Sequence, residues 1–504
     1  MMTIPKLISK AKILRGYQCD KSFYLSMHQK HLEPKPDQKL QALFDQTNRV
    51  VEFARQQYSN IYTDSVIVEN TPWDFVGALK KTKELLSLKT KVIFEAAFEY
   101  KGCFARIDMM IYNPQTERWQ ISEFKSTTKI KDEHLEDINL QTWIIANAGL
   151  PIEKISIFHI NNLCTAPNFE NLFIEVDVTE KLRELYSGVS NKLNLLFDTI
   201  KNESVPNVDL GLHCTKPNPC VFFDHCKSQK NIPIESIFNI PTLNEKKWDL
   251  YAKNMIDIFD PRLLETDDLT EKQKRFLDVQ KTKKRFTDTA EVKKALSTWQ
   301  FPLIFLDFET MSYAIPVYEG SRPFQQVPFQ FSIHVLNSID DIKTEHYEFL
   351  SDEKDPRLSL TKKLIEIFKN YPQSSSVVAY YAKFEAGCLQ DLADYFPQFS
   401  DELKSIQERL LDPLPIFREY IYDHQFKDSF SLKSVAPALL GIDASYTGLD
   451  IADGGEAQRA YGKLINSSTS DADKKLIITN LLAYCKKDTQ VLVDLVIWLF
   501  KLDN

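Results

Sequence analysis

Glycine is scarce in this chain, at 13 of 504 residues, and no segment is of low complexity or visibly repeated. Order is therefore expected along nearly the whole sequence. No segment approaches the roughly 18 uncharged apolar residues that a membrane span needs. The N-terminal sequence also lacks the apolar run and the small-residue cleavage site of a secretory signal. We therefore expect a cytoplasmic protein with no membrane partner.

The chain also lacks an excess of positive charge. It carries 62 Lys and Arg against 70 Asp and Glu, a formal net charge of −8 at pH 7. It therefore cannot hold nucleic acid by bulk positive charge, and such a partner would have to be bound through local basic patches or metal ions. With 43% apolar and 26% charged residues, the composition excludes disorder as the main state. The length predicts roughly two to four domains.

The periodicity of the apolar residues predicts two α/β blocks. In the first block, residues 35–90 have a helical pattern, residues 91–125 form β-rich runs, and helices follow from about Asp132 and over 178–201. The second block opens with a hydrophobic strand at 302–310 and ends with a helix at about 473–501. Short helices interrupted by proline and charge lie between the blocks. The sequence therefore predicts three regions: residues 1–230, a mostly helical connector over 231–300, and residues 301–504.

Acidic residues in the first block follow a strand pattern. Asp108 lies in one predicted strand, and Glu123 and Lys125 lie in the next, where the pleat places both on one face. Two carboxylates can hold Mg²⁺, and a lysine beside them can orient water or stabilise developing charge. The alternative is a strand pair that carries charged residues on a solvated face.

Four of the eight cysteines are candidate metal ligands. Cytosolic thiols stay reduced, so clustered cysteines indicate metal rather than disulfides. Three of them lie in HCTKPNPCVFFDHC and one near the start of the chain, and four thiolates suit iron–sulfur or zinc. A structural zinc ion and unrelated buried thiols are the alternatives. The remaining cysteines are expected in the core: Cys103, Cys164, Cys388 and Cys485.

A second set of acids comes from three segments of the second block. Asp307 and Glu309 end a buried strand and point the same way. Glu385 lies at a helix start, and Tyr484 and Asp488 lie one helical turn apart on one face. Four such acids can hold two Mg²⁺ ions about 3.5–4 Å apart, which stabilise the attacking water and the leaving oxygen. The alternatives are an inactive scaffold and acids that share no site.

The first block resembles the PD-(D/E)XK nucleases of the RecB and CRISPR-associated type. The resemblance rests on Asp108 and Glu123-x-Lys125, with Glu95 upstream and Gln141 on the following helix. It implies metal-dependent cleavage of DNA, with Asp108 and Glu123 as metal ligands, Lys125 at the attacking water and Gln141 at the DNA. It also implies a [4Fe-4S] cluster that ties the ends of the domain together. The implied cluster ligands are Cys19, Cys214, Cys220 and Cys226.

The second block resembles the DEDD exonucleases of the DnaQ type, which have an RNase H-like fold. Asp307-x-Glu309, Phe384-Glu385 and Tyr484-x-x-x-Asp488 match the three motifs, the last in its tyrosine form. The resemblance implies 3′→5′ hydrolysis, with Asp307, Glu309 and Asp488 as metal ligands and Tyr484 positioning the nucleophilic water. Glu385 stands where Asp is usual, and Tyr381 where Asn is usual. RPFQQVPFQFS and YCKKDT further resemble an uncharacterised bacterial domain found C-terminal to iron–sulfur RecB-like nuclease domains.

Basic residues are dense in the predicted connector. Seven of them fall within fourteen residues that hold a single acid, a density that could follow a phosphate backbone. A solvated helix face is the alternative. The candidate nucleic-acid contacts in this stretch are Lys281, Lys283, Lys284 and Arg285.

Together these patterns predict an α/β protein, in which a PD-(D/E)XK restriction-endonuclease-like domain and an RNase H-like exonuclease domain are joined by a mostly helical connector. The expected function is Mg²⁺- or Mn²⁺-dependent hydrolysis of DNA phosphodiester bonds by two nuclease domains. DNA processing, repair or defence against foreign DNA is the expected setting. Two alternatives stay open: a nucleic-acid-binding scaffold with degenerate sites, and an RNA exonuclease.

Overall fold

The computed structural model describes residues 7–69 and 73–502 and divides them into two compact units. The first unit comprises the described residues up to Asn231 together with Tyr313–Phe324. The second comprises Ile232–Ser312 and the described residues from Gln325 onward. Both units mix helices with a β-sheet, as the α/β pattern of the sequence predicts.

The first unit contains seven strands and seven α-helices among its described residues. The strands are β1 (Ile8–Ser9), β2 (Ser65–Ile67), β3 (Val92–Tyr100), β4 (Cys103–Asn113), β5 (Arg118–Lys125), β6 (Ile152–Ile160) and β7 (Phe173–Asp177). The helices are α1 (Lys10–Gln18), α2 (Asp20–His28), α3 (Gln38–Ile61), α4 (Phe75–Ser87), α5 (Asp132–Asn147), α6 (Thr179–Lys201) and α7 (Phe223–Ser228). Residues 35–90 are thus not uniformly helical, because β2 separates α3 from α4.

These strands form one sheet in the order β2-β3-β4-β5-β6-β7, and β1 pairs in parallel with β4. Strands β3, β4 and β5 form an antiparallel meander, whereas β5 and β6 are parallel and are joined through α5. Side chains alternate between two cores, as pleating requires. Met109 and Phe124 pack with Ala54 of α3 on one face, and Met110 and Ile121 pack in the larger core on the other.

The second unit contains seven short or medium strands and eleven α-helices among the residues described. The strands are β8 (Phe286–Thr287), β9 (Leu303–Met311), β10 (Val327–Leu336), β11 (Thr344–Leu350), β12 (Val377–Val378), β13 (Leu410–Leu411) and β14 (Ile421–Tyr422). The helices are α8 (Lys246–Ala252), α9 (Arg262–Glu265), α10 (Glu271–Thr282), α11 (Thr289–Leu296), α12 (Arg357–Phe368), α13 (Lys383–Tyr395), α14 (Ser400–Gln407), α15 (Leu414–Tyr420), α16 (Leu432–Leu440), α17 (Gly454–Leu464) and α18 (Asp471–Phe500).

The main sheet of this unit has the order β11-β10-β9-β12-β13. Strands β9, β10 and β11 are antiparallel neighbours, whereas β12 and β13 run parallel to β9. Every residue of β10 is buried, because helices cover both faces of the sheet. Helix α18 begins after Ser470, whose hydroxyl accepts a hydrogen bond from the N–H of Asp473, and Asp471 and Asp473 favour the positive end of the helix dipole.

Residues 231–300 do not form a separate body, in contrast to the predicted connector. They are mostly helical, but Leu250, Phe276 and Val292 are buried in the same core as Leu303 of β9 and Leu495 of α18. Burial of these apolar side chains makes the segment part of the second unit. No helix among the described residues combines the length and the apolar character needed to cross a membrane.

Candidate active sites

Three acids lie side by side on the central strands of the first unit. The β3–β4 register pairs Phe94 with Met109 and Ala96 with Ile107, which leaves Glu95 and Asp108 between these two pairs. The β4–β5 register ends at Met109 and Ser122, the residues next to Asp108 and Glu123. The ladder is interrupted at Glu95, which has a positive φ of 57°. One oxygen of the Asp108 carboxylate accepts the N–H of Phe124 at 2.8 Å. The meander therefore gathers these three carboxylates across neighbouring strands.

Two lysines neutralise this site from within the first unit. The Nζ of Lys125 lies 3.0 Å from Oε1 of Glu123 and 2.6 Å from Oδ2 of Asp137 on α5. The Nζ of Lys10, the first residue of α1, lies 2.7 Å from the same Glu123 oxygen and 3.0 Å from Oδ1 of Asp137. Two ammonium groups and two carboxylates therefore form a closed square. Lys10 and Asp137 are members that the sequence did not indicate.

The charges of this site respond differently to burial. Burial raises the pKa of Asp108 well above its ordinary value, and the neighbouring Glu123 and Glu95 raise it further. Burial alone would also raise the pKa of Asp137, but Lys10 and Lys125 lower it overall. The other Glu123 oxygen, Oε2, is buried and has no hydrogen-bond partner. An unpaired buried carboxylate oxygen is costly unless a cation or a donor binds it.

Gln141 does not lie where the predicted DNA contact requires. It is fully buried on α5, and its amide donates a hydrogen bond to Oδ1 of Asp137 at 3.0 Å. A side chain without exposed surface cannot contact a phosphate backbone, so this prediction is wrong for the structure described here. Gln141 instead orients the carboxylate that holds both lysines. Glu95 is partly exposed and lies 3.8 Å from Arg55 of α3.

The four predicted cluster cysteines face one another at the end of the first unit. Cys19 separates α1 from α2, and Cys214, Cys220 and Cys226 lie on the returning segment that ends in α7. Burial raises the pKa of Cys214 to about 11, and the three other thiols contribute to the increase. Gln18 fixes the returning segment by donating to the carbonyls of His213 and Asn218, both at 2.7 Å.

The sulfur atoms of the four predicted ligands do not form a tight group of three. Among the described residues, no three of these thiols lie within 4.8 Å of one another. The other cysteines, Cys103, Cys164, Cys388 and Cys485, are buried as predicted.

The second unit brings acids from β9 and α18 to one cavity of about 400 Å³. Asp307 and Glu309 extend from the same face of β9, and Tyr484 and Asp488 extend from one face of α18. The side chains meet because α18 packs across β9 and β10, burying Leu495 and Val496. The spacing within each element was readable from the sequence, and the packing of the helix on the sheet completes the cavity.

Few cations balance these acids. Burial raises the pKa of Asp307 well above its ordinary value, and Asp488 adds to the increase. Burial, Asp307 and Asp488 do the same for Glu309. Burial raises the pKa of Asp488 to about 6, although the Tyr446 hydroxyl donates to its Oδ1. Lys433 of α16 lowers the pKa values of all three acids, and it donates to the Tyr484 hydroxyl at 2.9 Å.

Cys485 is a third donor beside Asp307 and Glu309. Its sulfur lies 3.5 Å from Oδ2 of Asp307, and one ligand atom from each of the three residues falls within 4.8 Å of the others. The sequence placed Cys485 in the core, and the structure places it both in the core and at this site. Tyr446 and Lys433 were also missed. The one signal for Cys485 was its position directly after Tyr484.

Glu385 lies just behind the cavity wall. It occupies the first turn of α13, as predicted, but Phe384 rather than Glu385 lines the cavity. Glu385 is 2% exposed, and its Oε2 is buried without a partner. Burial raises its pKa well above the ordinary value, and Asp307 adds to the increase. A small shift of α13 would be required for Glu385 to reach an ion in the cavity.

The basic stretch divides into paired and unpaired side chains. Lys283 forms an ion pair with Glu235 at 3.0 Å, and Arg285 pairs with the buried Asp423 at 2.8 Å. Lys281 and Lys284 are exposed and form no ion pair with any residue in the described ranges. Two of the four predicted phosphate contacts are thus occupied by acids, which weakens the case for a backbone-binding face here.

Comparisons with known proteins relate the chain to one family model and to two uncharacterized relatives. Residues 304–431 match a family model described as a domain of unknown function, DUF2779. The chain is 25% identical to Uncharacterized protein MG366 of Mycoplasma genitalium over 288 residues, which are 54% of this chain and 41% of that protein. It is 23% identical to Uncharacterized protein UU173 of Ureaplasma parvum serovar 3 over 216 residues, 40% of this chain and 31% of that protein. The match therefore spans less than half the length of either relative, and the segment similar to DUF2779 carries Asp307, Glu309 and Glu385.

Proposed function

We propose that this chain is a divalent-metal-dependent nuclease with two hydrolytic centres that act on DNA phosphodiester bonds. The observation that carries the proposal is the convergence of Asp307, Glu309 and Asp488 with Tyr484 on one cavity of the second unit. Buried carboxylates with raised pKa values need a cation to ionise together. The natural setting we propose is DNA processing, repair or defence against foreign DNA.

The residues of the second site fit one or two divalent ions of the Mg²⁺ or Mn²⁺ class. Their donors are mostly hard carboxylate oxygens, and the unpaired Oε2 of Glu385 lies behind them. Bound ions would supply electrostatic stabilisation of the attacking and leaving oxygens of the phosphodiester. Asp307, Glu309 and Asp488 would hold them. The mixed sheet, antiparallel on one side of β9 and parallel on the other, supports an RNase H-like fold for this unit.

The burial and the hydrogen bonds of Tyr484 suit it to orient a water molecule. Burial and the neighbouring Asp488 raise the pKa of Tyr484, so its hydroxyl stays protonated at neutral pH. Lys433 donates to the hydroxyl oxygen, and the hydroxyl also hydrogen-bonds Asp488, which lowers the pKa of that acid. We assign Tyr484 to positioning the nucleophilic water beside Asp488, because a protonated hydroxyl can orient a water molecule but cannot remove its proton. Tyr446 fixes the rotamer of Asp488 by donating to it.

At the first site, Asp108 and Glu123 would hold the ion, and the unpaired Oε2 of Glu123 supports this assignment. Burial would lower the pKa of Lys125, but Asp137 and Glu123 raise it, so its ammonium stays charged. A charged lysine beside the metal ligands can stabilise a phosphorane-like transition state or hold a water by donation. The β3–β5 meander followed by α5 and the parallel strand β6 supports the PD-(D/E)XK part of the proposal.

The test compares end-labelled single-stranded and duplex DNA, with RNA in parallel, in Mg²⁺ or Mn²⁺. Wild type is compared with Asp108→Asn, Asp307→Asn and the double variant, and the exposed Asp401→Asn on α14 is the matched control. We expect each single variant to lose one pattern of products and the double variant to lose both. Undiminished cleavage by the double variant would falsify the assignments. Binding without cleavage by wild type would support a scaffold, and a preference for RNA would change the substrate.

We further propose that Cys19, Cys214, Cys220 and Cys226 hold a [4Fe-4S] cluster. The influence of these thiols on one another's pKa values supports a shared site, and four cysteine thiols are the usual ligands of such a cluster. Anaerobically purified protein should be brown and contain iron and acid-labile sulfide, and Cys226→Ser should lose both. Cys164→Ser, a buried cysteine outside the group, should keep them. One zinc ion per chain in colourless protein would contradict the cluster.

A further inference from the structure

A larger cavity of about 730 Å³ opens beside the carboxylate cavity of the second unit. Tyr380 and Leu432 line both cavities and form the wall between them. The Tyr380 hydroxyl donates to the carbonyl of Phe430 at 2.6 Å, which fixes this wall. The volume lies within the range of small-molecule sites, which is roughly 300–1,000 Å³. The two cavities are therefore neighbouring compartments of one depression in the second unit.

Tyr381 presents an aromatic ring at this cavity from a strained backbone. Its φ is 67°, a conformation that bulky residues rarely adopt, and its side chain is not buried in compensation, since the residue is 52% exposed. Asp412 holds the backbone by accepting the N–H of Tyr381 at 3.1 Å and the N–H of Ala382 at 3.2 Å. An exposed aromatic ring on a fixed backbone is the arrangement on which a nucleobase stacks.

Three cationic side chains line the same cavity, and two of them already bind partners within the protein. Lys272 pairs with Glu419, and Arg275 donates to the Glu419 carbonyl at 2.6 Å. Arg418 is exposed and makes no hydrogen bond or ion pair with the residues that the structure describes. Asp428 is the single acid among the lining residues. The positive excess, with one uncommitted guanidinium, suits a phosphate group.

We propose that this cavity binds a nucleoside monophosphate unit of single-stranded DNA, with its base stacked on Tyr381 and its phosphate paired with Arg418. This inference rests on the proposed function, because the adjoining carboxylate cavity would receive the neighbouring phosphodiester of the same strand. The aromatic ring, the guanidinium and the shared wall carry the argument together. A free mononucleotide offers the same chemistry, so the experiment separates the two sources.

The experiment measures binding with Mg²⁺ in an Asp108→Asn, Asp307→Asn background, where cleavage at both proposed sites is blocked. The probes are fluorescein-labelled oligothymidylate, followed by anisotropy, and free thymidine 5′-monophosphate, followed by equilibrium dialysis. We expect Tyr381→Ala and Arg418→Ala each to weaken oligonucleotide binding about tenfold or more. Tyr381→Phe should retain binding because it keeps the ring. The exposed Lys362→Ala, away from the cavity lining, is the matched control for loss of one charge.

The outcomes separate this inference from the proposed function. Ring-dependent binding in a protein whose wild type cleaves nothing would remove the hydrolytic proposal and leave the cavity assignment standing. Cleavage by wild type together with unchanged binding in Tyr381→Ala and Arg418→Ala would overturn the cavity assignment. Ring-dependent binding of the mononucleotide at the affinity of the oligonucleotide would identify a free nucleotide as the ligand and overturn the strand assignment. Circular dichroism confirms that each variant is folded.

Discussion

The two acidic sites are neutralised in different ways. In the first unit, Lys10 and Lys125 each contact both Glu123 and Asp137, so two acids and two bases form a closed ionic square. In the second unit, Lys433 donates to Tyr484 and to the carbonyl of Ala452, and it forms no ion pair within 4.0 Å with the acids of the described site. The first site carries its own counter-charges, and the second does not.

Because of this difference, a bound ion would have a different effect on the charge of each site. Direct pairing lowers the pKa of Asp137 in the first site despite its burial. In the second site, burial without direct pairing raises the pKa values of Asp307, Glu309 and Asp488. An ion would therefore be required for chemistry at both sites. In the first site it would balance the buried Asp108, whose pKa is also raised, whereas in the second site it would balance all three acids. Four predictions test this contrast.

The largest expected effect is the loss of one member of the ionic square. Lys125→Met leaves two buried carboxylates with one ammonium, and we expect the free energy of unfolding of the first unit to fall by about 3–5 kcal/mol. The measurement is urea denaturation followed by hydrogen exchange of β5 and α5. Lys89→Met, at the solvent-exposed pair with Glu117, should change the free energy of unfolding far less. Lys433→Met should cost less than Lys125→Met, and an equal cost would remove the contrast.

Asp488 of the second site and Asp137 of the first site should also respond to pH with opposite sign when divalent ions are chelated. The raised pKa of Asp488, about 6 against an ordinary 3.8, means that its folded form binds protons more tightly. Its favourable contribution is present below the unfolded pKa and is lost as pH rises through about 6, by up to about 3 kcal/mol. The lowered pKa of Asp137 works in reverse, so its contribution is present at neutral pH and is lost only as pH falls below about 4.

Hydrogen exchange between pH 4.5 and 7, corrected for the intrinsic exchange rate, checks this prediction. Protection of α18, which carries Asp488, should decrease across the range, and protection of α5, which carries Asp137, should not. A parallel change in both regions would contradict it. Because protons compete with ions, the affinity for Mn²⁺ at the second site should increase over the same interval.

The two sites also show which features of the structure could be predicted from the sequence. Strands β3 to β5 and helices α5, α6 and α18 were predictable because each has its own apolar period. Asp307 with Glu309, and Tyr484 with Asp488, were readable because each pair lies on one face of one element. The catalytic roles of these residues remain predictions, but the position of each pair on one face follows from the local geometry of its strand or helix.

Partners from distant elements were not predictable. Lys10 precedes Glu123 by more than a hundred residues, and nothing in either local pattern indicates their contact. Gln141 was assigned to DNA, yet packing of α5 on the sheet buries it beside Asp137. The segment 231–300 was assigned to a connector because its helices are short, whereas its apolar residues complete the core of the second unit. In each case tertiary packing decides the outcome.

Removal of charge from the second site should stabilise the protein without its ions. Asp307→Asn relieves repulsion among buried acids, so we expect the free energy of unfolding of the second unit in EDTA to rise by about 0.5–2 kcal/mol. The stabilisation that Mn²⁺ confers on wild type should be lost in the variant. The first site gives the opposite sign, because Asp137→Asn breaks the ionic square and should destabilise. Thermal melts with and without Mn²⁺ measure both, and equal signs would show that the two sites balance charge alike.

The smallest effect concerns the kind of ion that the second site accepts. Cys485 adds a thiol within reach of Asp307 and Glu309, and thiolates favour soft ions such as Zn²⁺ and Cd²⁺ over Mg²⁺. The measurement uses anaerobically purified protein in which the four clustered cysteines of the first unit are occupied by iron. We expect Cys485→Ser to weaken Cd²⁺ binding about tenfold and to remove the ultraviolet sulfur-to-cadmium difference band that Cd²⁺ adds to this protein, with Mn²⁺ affinity nearly unchanged. Cys388→Ser, a buried cysteine on α13, is the control. A difference band of unchanged intensity in Cys485→Ser would place the soft-ion site elsewhere in the chain.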